Sequence, residues 1–174
     1  MLGDSMRKIA VKYKVGIDKH VKANPSIKNP ALIYPGQKIT IPSGDGFKTF
    51  ETEVVRLVNA ERSKSGLPAL AQNWELSRVA RYKSQDFISR GYFDHNSPTY
   101  GTPFQMIMSF GINYTAAAEN IAKGQASPTA VMQSWMNSAG HRANILNQVY
   151  NQVGVGVAKD GRGTLYWTQM FIQA

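Results

Sequence analysis

The stretch of sequence that decides the fold is Val153-Gly154-Val155-Gly156-Val157, near the end of the chain. Valines alternate with glycines, and a period of two is typical of a β-strand. A turn is predicted at 159–163, and the apolar run over 165–172 predicts the returning strand. The two glycines open no helix, so they are no dinucleotide-binding motif. We interpret them as allowing another element to pack closely against the strand.

Four helices are predicted upstream of this hairpin. The first carries an apolar stripe over residues 50–58. The other three begin at capping residues: Asn73, Thr102 (with Gln105 completing a capping-box pattern) and Ser127 before a proline. Helices followed by a terminal hairpin predict an α+β layered domain.

A hinge separates this domain from the first forty residues. It is Pro42-Ser43-Gly44-Asp45-Gly46, a cluster of proline, glycine and small polar residues. We therefore predict a small module over 1–42, a linker over 43–49 and a larger domain over 50–174. In the small module, two short helices and an alternating strand over Lys38–Ile41 are predicted.

Composition limits the function classes. The chain of 174 residues has a net charge of +9, with nine Lys/Arg against three Asp in residues 1–49. This excess suits either a solvated basic surface or attraction to a polyanion, such as nucleic acid or an anionic wall polymer. Because cysteine is absent, disulfides and thiolate chemistry are excluded. No membrane-spanning run and no signal peptide are visible in this sequence.

Three short segments carry residues suited to chemistry: Phe93-Asp94-His95, Ala118-Glu119-Asn120 and Gly140-His141-Arg142. Two imidazoles and a carboxylate are common components of metal sites and of proton transfer at neutral pH. The segments are far apart in sequence, so only a fold can bring them together. The alternative interpretation is a surface histidine, an ordinary glutamate and, at His141, a histidine at a helix C-terminus.

The first part of the chain closely resembles the lysin motif (LysM), a small βααβ glycan-binding module. The matching segments are Gly3-Asp4-Ser5, Ala23-Asn24-Pro25 and the run from Asn29 to Lys38. Only two residues precede Gly3, so we expect the first strand of the module to be largely missing. The resemblance implies that two loops bind a peptidoglycan or chitin-like glycan. Their residues are Gly3, Asp4, Ser5 and Met6, and Ala31, Leu32, Ile33 and Tyr34.

The second part resembles the CAP superfamily of cysteine-rich secretory proteins, antigen 5 and plant pathogenesis-related proteins, in a cysteine-free bacterial form. The segments that carry the resemblance are Phe93 to Pro98, Ala118 to Ile121, Trp135 to Arg142, Val153 to Gly156 and Tyr166 to Gln169. The resemblance implies an α-β-α sandwich with a surface cleft. With the LysM-like module, the expected fold class is α+β.

In that superfamily, many members line the cleft with two histidines and two acids, and some bind a divalent metal there. His95, Glu119 and His141 fall on three of these four positions, and Ser138 on the fourth. The resemblance thus implies a ligand cleft formed by His95, Ser97, Glu119, Asn120, Ser138 and His141. The two histidines and Glu119 could hold zinc or another divalent metal weakly. Equally, Glu119 could orient an imidazole while Ser97 or Ser138 binds a ligand.

The functional hypothesis from sequence is an extracellular protein associated with the cell wall or the spore. Its first module would bind N-acetylglucosamine polymers, its lysines could add attraction to anionic wall polymers, and no cofactor is required. We expect a monomer that binds no nucleic acid, because no nucleic-acid motif appears. The alternatives are a wall-active or protease-like hydrolase that uses His95, Glu119 and His141, and a lipid carrier. No G-x-S-x-G or H-E-x-x-H motif supports a hydrolase.

Overall fold

A computed structural model describes residues 5–13, 17–40 and 46–174. The chain divides into two compact units, Met1–Lys48 and Thr49–Ala174. The predicted glycan-binding residues Gly3 and Asp4 lie outside the described residues. Across the described ranges, no helix is long and apolar enough to span a membrane.

The first unit contains the two predicted short helices, α1 (Met6–Tyr13) and α2 (Ile17–Lys22). Within the described residues 38–40 no strand forms, and Ile41 lies beyond them. The backbone of Thr40 pairs instead with a side chain. Its N–H donates to Oδ1 of Asn24, and Nδ2 of Asn24 donates to its carbonyl, both at 2.7 Å. Asn24 therefore supplies the hydrogen bonds that a neighbouring strand would give.

The second unit contains helices and strands that alternate along the chain. They are α3 (Lys48–Lys64), β1 (Ala71–Gln72), α4 (Trp74–Arg90), α5 (Pro103–Ser109), β2 (Ala116–Lys123), α6 (Pro128–Asn137), α7 (Ala139–Ile145), β3 (Gln152–Lys159) and β4 (Leu165–Gln173). The predicted linker over 43–49 reaches the first turn of α3.

The predicted helix starts are confirmed at each capping residue. The side chains of Asn73 and Ser127 accept hydrogen bonds from the first turns of α4 and α6. At α5, Thr102 and Gln105 form the complete capping box. These bonds satisfy N–H groups that the helix itself leaves unpaired.

The strands form one sheet in the order β1-β3-β4-β2. The predicted hairpin of β3 and β4 is confirmed, and β2 pairs with β4 antiparallel at the edge of the sheet. In that register, Glu119 lies opposite Met170 and Asn120 lies opposite Gln169. Because side chains alternate along a strand, Glu119 and Asn120 face opposite sides of the sheet.

Helices cover both faces of this sheet. On the face of Met170, the buried core contains Leu76, Val79 and Ala80 of α4 and Met106 and Ile107 of α5. On the other face, Phe50 of α3 stacks on Trp167 with ring centroids 6.0 Å apart. The predicted α-β-α sandwich is therefore confirmed. The aromatic residues of β4, Tyr166, Trp167 and Phe171, belong to the core of the sandwich.

Candidate functional site

The predicted site residues His95 and Glu119 are in direct contact. Nδ1 of His95 lies 2.7 Å from Oε1 of Glu119. The carboxylate is 2% exposed, whereas the imidazole is 52% exposed. An ionised carboxylate can only accept hydrogen bonds, so Nδ1 of His95 carries the hydrogen. The buried Glu119 therefore orients an imidazole that solvent can reach.

Each partner changes the pKa of the other. The hydrogen bond to Glu119 is the main cause that raises the pKa of His95. Burial raises the pKa of Glu119, although the hydrogen bond to His95 and the charge of Lys83 act in the opposite direction. Oε2 of Glu119 is buried and has no hydrogen-bond partner among the described residues. Leaving a buried oxygen without a hydrogen bond costs free energy. Groups left in this state are often found at functional sites.

The third predicted residue, His141, lies on helix α7. Burial lowers the pKa of His141, and the nearby charge of His95 lowers it further. The two imidazoles therefore lie within electrostatic reach of each other. The interpretation of His141 as a C-terminal capping histidine is wrong, because α7 begins directly after Ser138 and places His141 in its first turn.

Asn120 attaches helix α7 to the sheet. It is fully buried, and its Nδ2 donates to the carbonyl of His141 at 3.1 Å and to Oε1 of Gln169 at 3.0 Å. Its Oδ1 accepts a hydrogen bond of 2.8 Å from Asn144, which lies one turn further along α7. Asn120 thus fixes the backbone that carries His141, from the face opposite to Glu119.

The two predicted serines have different surroundings. Ser97 is buried, and its hydroxyl donates to Asp86 at 2.7 Å while accepting from the N–H groups of Thr99 and Tyr100. That hydroxyl organises its own loop. Ser138 is half-buried at the junction of α6 and α7, and its side chain makes no capping hydrogen bond to α7.

Two site residues escaped the sequence analysis, Lys83 and Asp86 of α4. Both are buried, and Nζ of Lys83 donates to the carbonyl of His95. A signal for them was present in the sequence. They continue the apolar stripe of Leu76, Val79 and Ala80 at helical spacing, and charged residues at core positions are unusual.

The three candidate metal ligands do not form a ready three-ligand site. Among the described residues, no group of three or more His, Cys, Asp or Glu is placed to hold a metal ion. Glu119 binds an imidazole instead, whereas catalytic zinc has three protein ligands. Weak zinc binding by His95, His141 and Glu119 stays a prediction, which a zinc titration followed by histidine NMR can check.

Glu119→Gln should lower the pKa of His95. The substitution keeps the shape of the side chain but removes the charge that favours the imidazolium, while burial and the charge of Lys83 still oppose it. We expect the pKa of His95 to fall to or below its ordinary value, and that of His141 to rise slightly. An NMR pH titration of both rings measures these shifts. An unchanged His95 pKa would contradict the assigned pair.

In the first unit, the predicted glycan-binding residues divide into buried and exposed ones. Met6 and Ile33 are buried, Ser5 is half-buried, and Ala31, Leu32 and Tyr34 are exposed. The N–H of Met6 donates to the carbonyl of Pro30 at 2.9 Å. This bond brings the two predicted loops together, with Leu32 and Tyr34 on the surface beside them.

The sandwich and the His95–Glu119 pair define the class of protein. The family model "Cysteine-rich secretory protein family" (CAP) matches residues 55–171, so the chain belongs to this family. The LysM domain model matches residues 2–42. A LysM domain followed by a CAP domain indicates a bacterial extracellular or wall-associated protein.

Similar proteins come from Bacillus. The chain is 51% identical over 133 residues to the uncharacterized protein YkwD of Bacillus subtilis, covering 76% of this chain and 51% of that protein. A solved extracellular protein containing an SCP domain, from Bacillus anthracis, is 35% identical with a TM-score of 0.68. That match covers 72% of this chain and 41% of the solved chain. Over 41 residues (24% of this chain, 11% of the relative), the chain is 51% identical to SpoIVD-associated factor A of Bacillus subtilis. The chain spans about half the length of YkwD.

Proposed function

We propose that the protein is a wall-associated binding protein with two sites. The LysM unit binds glycans that contain N-acetylglucosamine, and the CAP cleft binds a second ligand close to the wall. Holding the CAP unit at the wall raises its local concentration there without new contacts.

The observation that carries the glycan proposal is the exposed pair Leu32 and Tyr34. These large side chains are 38% and 59% exposed. They lie beside the point where Met6 joins the two loops. Exposed aromatic and aliphatic side chains on a surface held by backbone hydrogen bonds suit the faces of neutral sugar rings. The basic residues of this unit add a screened attraction to anionic wall polymers.

The cleft proposal is supported by the His95–Glu119 pair. One imidazole has its Nδ1 fixed by a buried carboxylate, while about half of its side chain is exposed to solvent. His141 provides a second imidazole within electrostatic reach. Two such groups recognise a polar ligand that can accept and donate hydrogen bonds. Association with the spore is supported by the 41-residue match to SpoIVD-associated factor A.

Tyr34→Ala should reduce retention of the full chain on insoluble peptidoglycan. Loss of an exposed aromatic contact at the centre of a binding surface weakens affinity about tenfold, or roughly 1.4 kcal/mol. The bound fraction is measured by co-sedimentation over a range of peptidoglycan concentrations. Washes with about 1 M salt reduce the screening length to about 3 Å and remove purely electrostatic binding.

Phe104→Ala is the matched control for this experiment. Phe104 is an exposed aromatic residue of the second unit, 47% exposed, and its removal should leave retention unchanged. If the native chain is released by salt, or if Tyr34→Ala and Phe104→Ala behave alike, glycan binding by the LysM unit is refuted.

A hydrolase is the second candidate, and the carboxylate-oriented His95 favours it, since such pairs support general-base catalysis. The nucleophile is its weak point, because the hydroxyl of Ser97 donates to Asp86. Peptidoglycan and casein assays on the full chain distinguish the two functions. Turnover that is lost in both His95→Ala and His141→Ala would establish the enzyme.

A further inference from the structure

Helix α4 carries two buried charged residues one turn apart, Lys83 and Asp86. Lys83 is fully buried and Asp86 is 7% exposed. Burying a charge is costly unless hydrogen bonds and opposite charges compensate for it. The hydrogen-bond partners and opposite charges around Lys83 and Asp86 therefore show which segment these two residues hold in place.

Lys83 lies directly beneath the segment that carries His95. Its Nζ donates to the carbonyl of His95. The same ammonium group lies 5.1 Å from the ring centroid of Phe87 and 5.3 Å from that of Tyr92. The negative charges of Glu119 and Asp86 act on it favourably. Lys83 thus attaches the His95 backbone to helix α4, and its charge interacts favourably with that of Glu119.

Asp86 holds the rest of the same segment, residues 92–101, which we call the His95 loop. Its two carboxylate oxygens accept hydrogen bonds from the hydroxyls of Tyr92, Ser97 and Thr99, each at 2.7 Å. Burial raises the pKa of Asp86, but these three bonds outweigh it and leave the pKa below its ordinary value. The carboxylate is therefore ionised and accepts from both ends of the loop.

The His95 loop is closed by bonds of its own. The N–H of Ser97 donates to the carbonyl of Gly101 at 2.7 Å, and the N–H of Gly101 donates back at 2.9 Å. The exposed imidazole of His95 therefore sits on a loop whose two sides are attached to α4.

We propose that Lys83 and Asp86 are positioning residues of the cleft. They hold the His95 loop on α4 so that Nδ1–H of His95 donates to Glu119 and Nε2 is the ring atom left for a ligand. Only the last step, that Nε2 meets a ligand, rests on the proposed function. The positioning is a property of the free protein.

The tautomer of His95 tests this proposal. In the full chain labelled with nitrogen-15, at a pH where the imidazole is neutral, the ring should carry its hydrogen on Nδ1. Lys83→Met removes the bond to the His95 carbonyl while filling most of the same volume. We expect the ratio of the Nδ1–H to the Nε2–H form to fall several-fold, because the bond partner of a ring nitrogen sets the tautomer.

Lys64→Met is the matched control, since Lys64 is 69% exposed and pairs with Glu61 at the surface. It should leave the His95 tautomer unchanged. If Lys83→Met does not fold, Ser97→Ala takes its place, because it removes one of the three bonds to Asp86 and two bonds within the loop without removing a charge. A folded Lys83→Met or Ser97→Ala protein that keeps the native tautomer ratio overturns the proposal. The NMR spectrum is recorded without a ligand. An unchanged tautomer ratio would therefore refute the positioning role alone, whereas loss of wall retention would bear only on the proposed function.

Discussion

Arg81→Met is expected to destabilise the second unit by about 3–5 kcal/mol, the usual cost of removing one partner from a buried ion pair. Arg81 of α4 binds Glu51 of α3 with three contacts of 2.6–2.9 Å, and the Glu51 side chain is 1% exposed. Oε1 of Glu51 also accepts from the N–H of Val157 at 3.2 Å. The carboxylate thus joins two helices and β3, and without Arg81 its charge is left buried.

The exposed pair of Arg56 and Glu53 provides the control. Their contact is equally short, 2.7 Å, but the side chains are 63% and 40% exposed. Arg56→Met should therefore change stability by at most about 0.5 kcal/mol. Urea unfolding followed by tryptophan fluorescence measures both variants, because all three tryptophans lie within residues 49–174. Adding Glu51→Gln to Arg81→Met should recover part of the loss. Equal effects of Arg81→Met and Arg56→Met would contradict the buried pair.

Elements with local signals were predictable from the sequence. The alternation over 153–157 and the turn after it predicted the β3–β4 hairpin, and Asn73 and Ser127 marked the starts of α4 and α6. In each case the deciding interaction lies within a few residues of the signal. Caps and turns form between neighbours in sequence, so the sequence alone shows both partners.

Elements whose structure depends on distant partners were missed. Strand β2 contains four alanines, a glutamate and an asparagine, and shows no alternation of apolar and polar residues. It is a strand because all eight of its residues pair with β4, about fifty residues away. Helix α7 was missed because a single residue, Ser138, separates the end of α6 from the start of α7. A single-residue junction leaves no room for a loop signal.

The candidate site was predictable only in part, for the same reason. The resemblance to a known family identified His95, Glu119 and His141. The partners that fix them, Lys83, Asp86 and Asn144, lie on helices, and no local motif marks their role. Buried polar residues at core positions of a helix are the one sequence signal that would have found the first two.

Gly156→Ala should be among the most damaging single substitutions in the second unit. A Cβ on Gly156 would lie 2.1 Å from the backbone N of Arg81 and 2.2 Å from the backbone C of Ala80. Both atoms belong to the main chain of α4, so no side chain can rotate away, and helix and sheet must separate. Overpacking in a core typically costs about 1–3 kcal/mol, and we expect this site to reach or exceed the upper end.

Gly161→Ala separates this effect from the general effect of losing a glycine. Gly161 lies in the turn after β3, and a Cβ there would meet no atom within 4 Å. Its substitution should change stability by no more than about 0.5 kcal/mol. Urea unfolding with tryptophan fluorescence compares the two variants. A Gly156→Ala protein as stable as the native chain would show that α4 does not need the alternating glycines in order to pack on β3. Since α4 also carries Lys83 and Asp86, any separation of α4 from the sheet should disturb the His95–Glu119 pair as well.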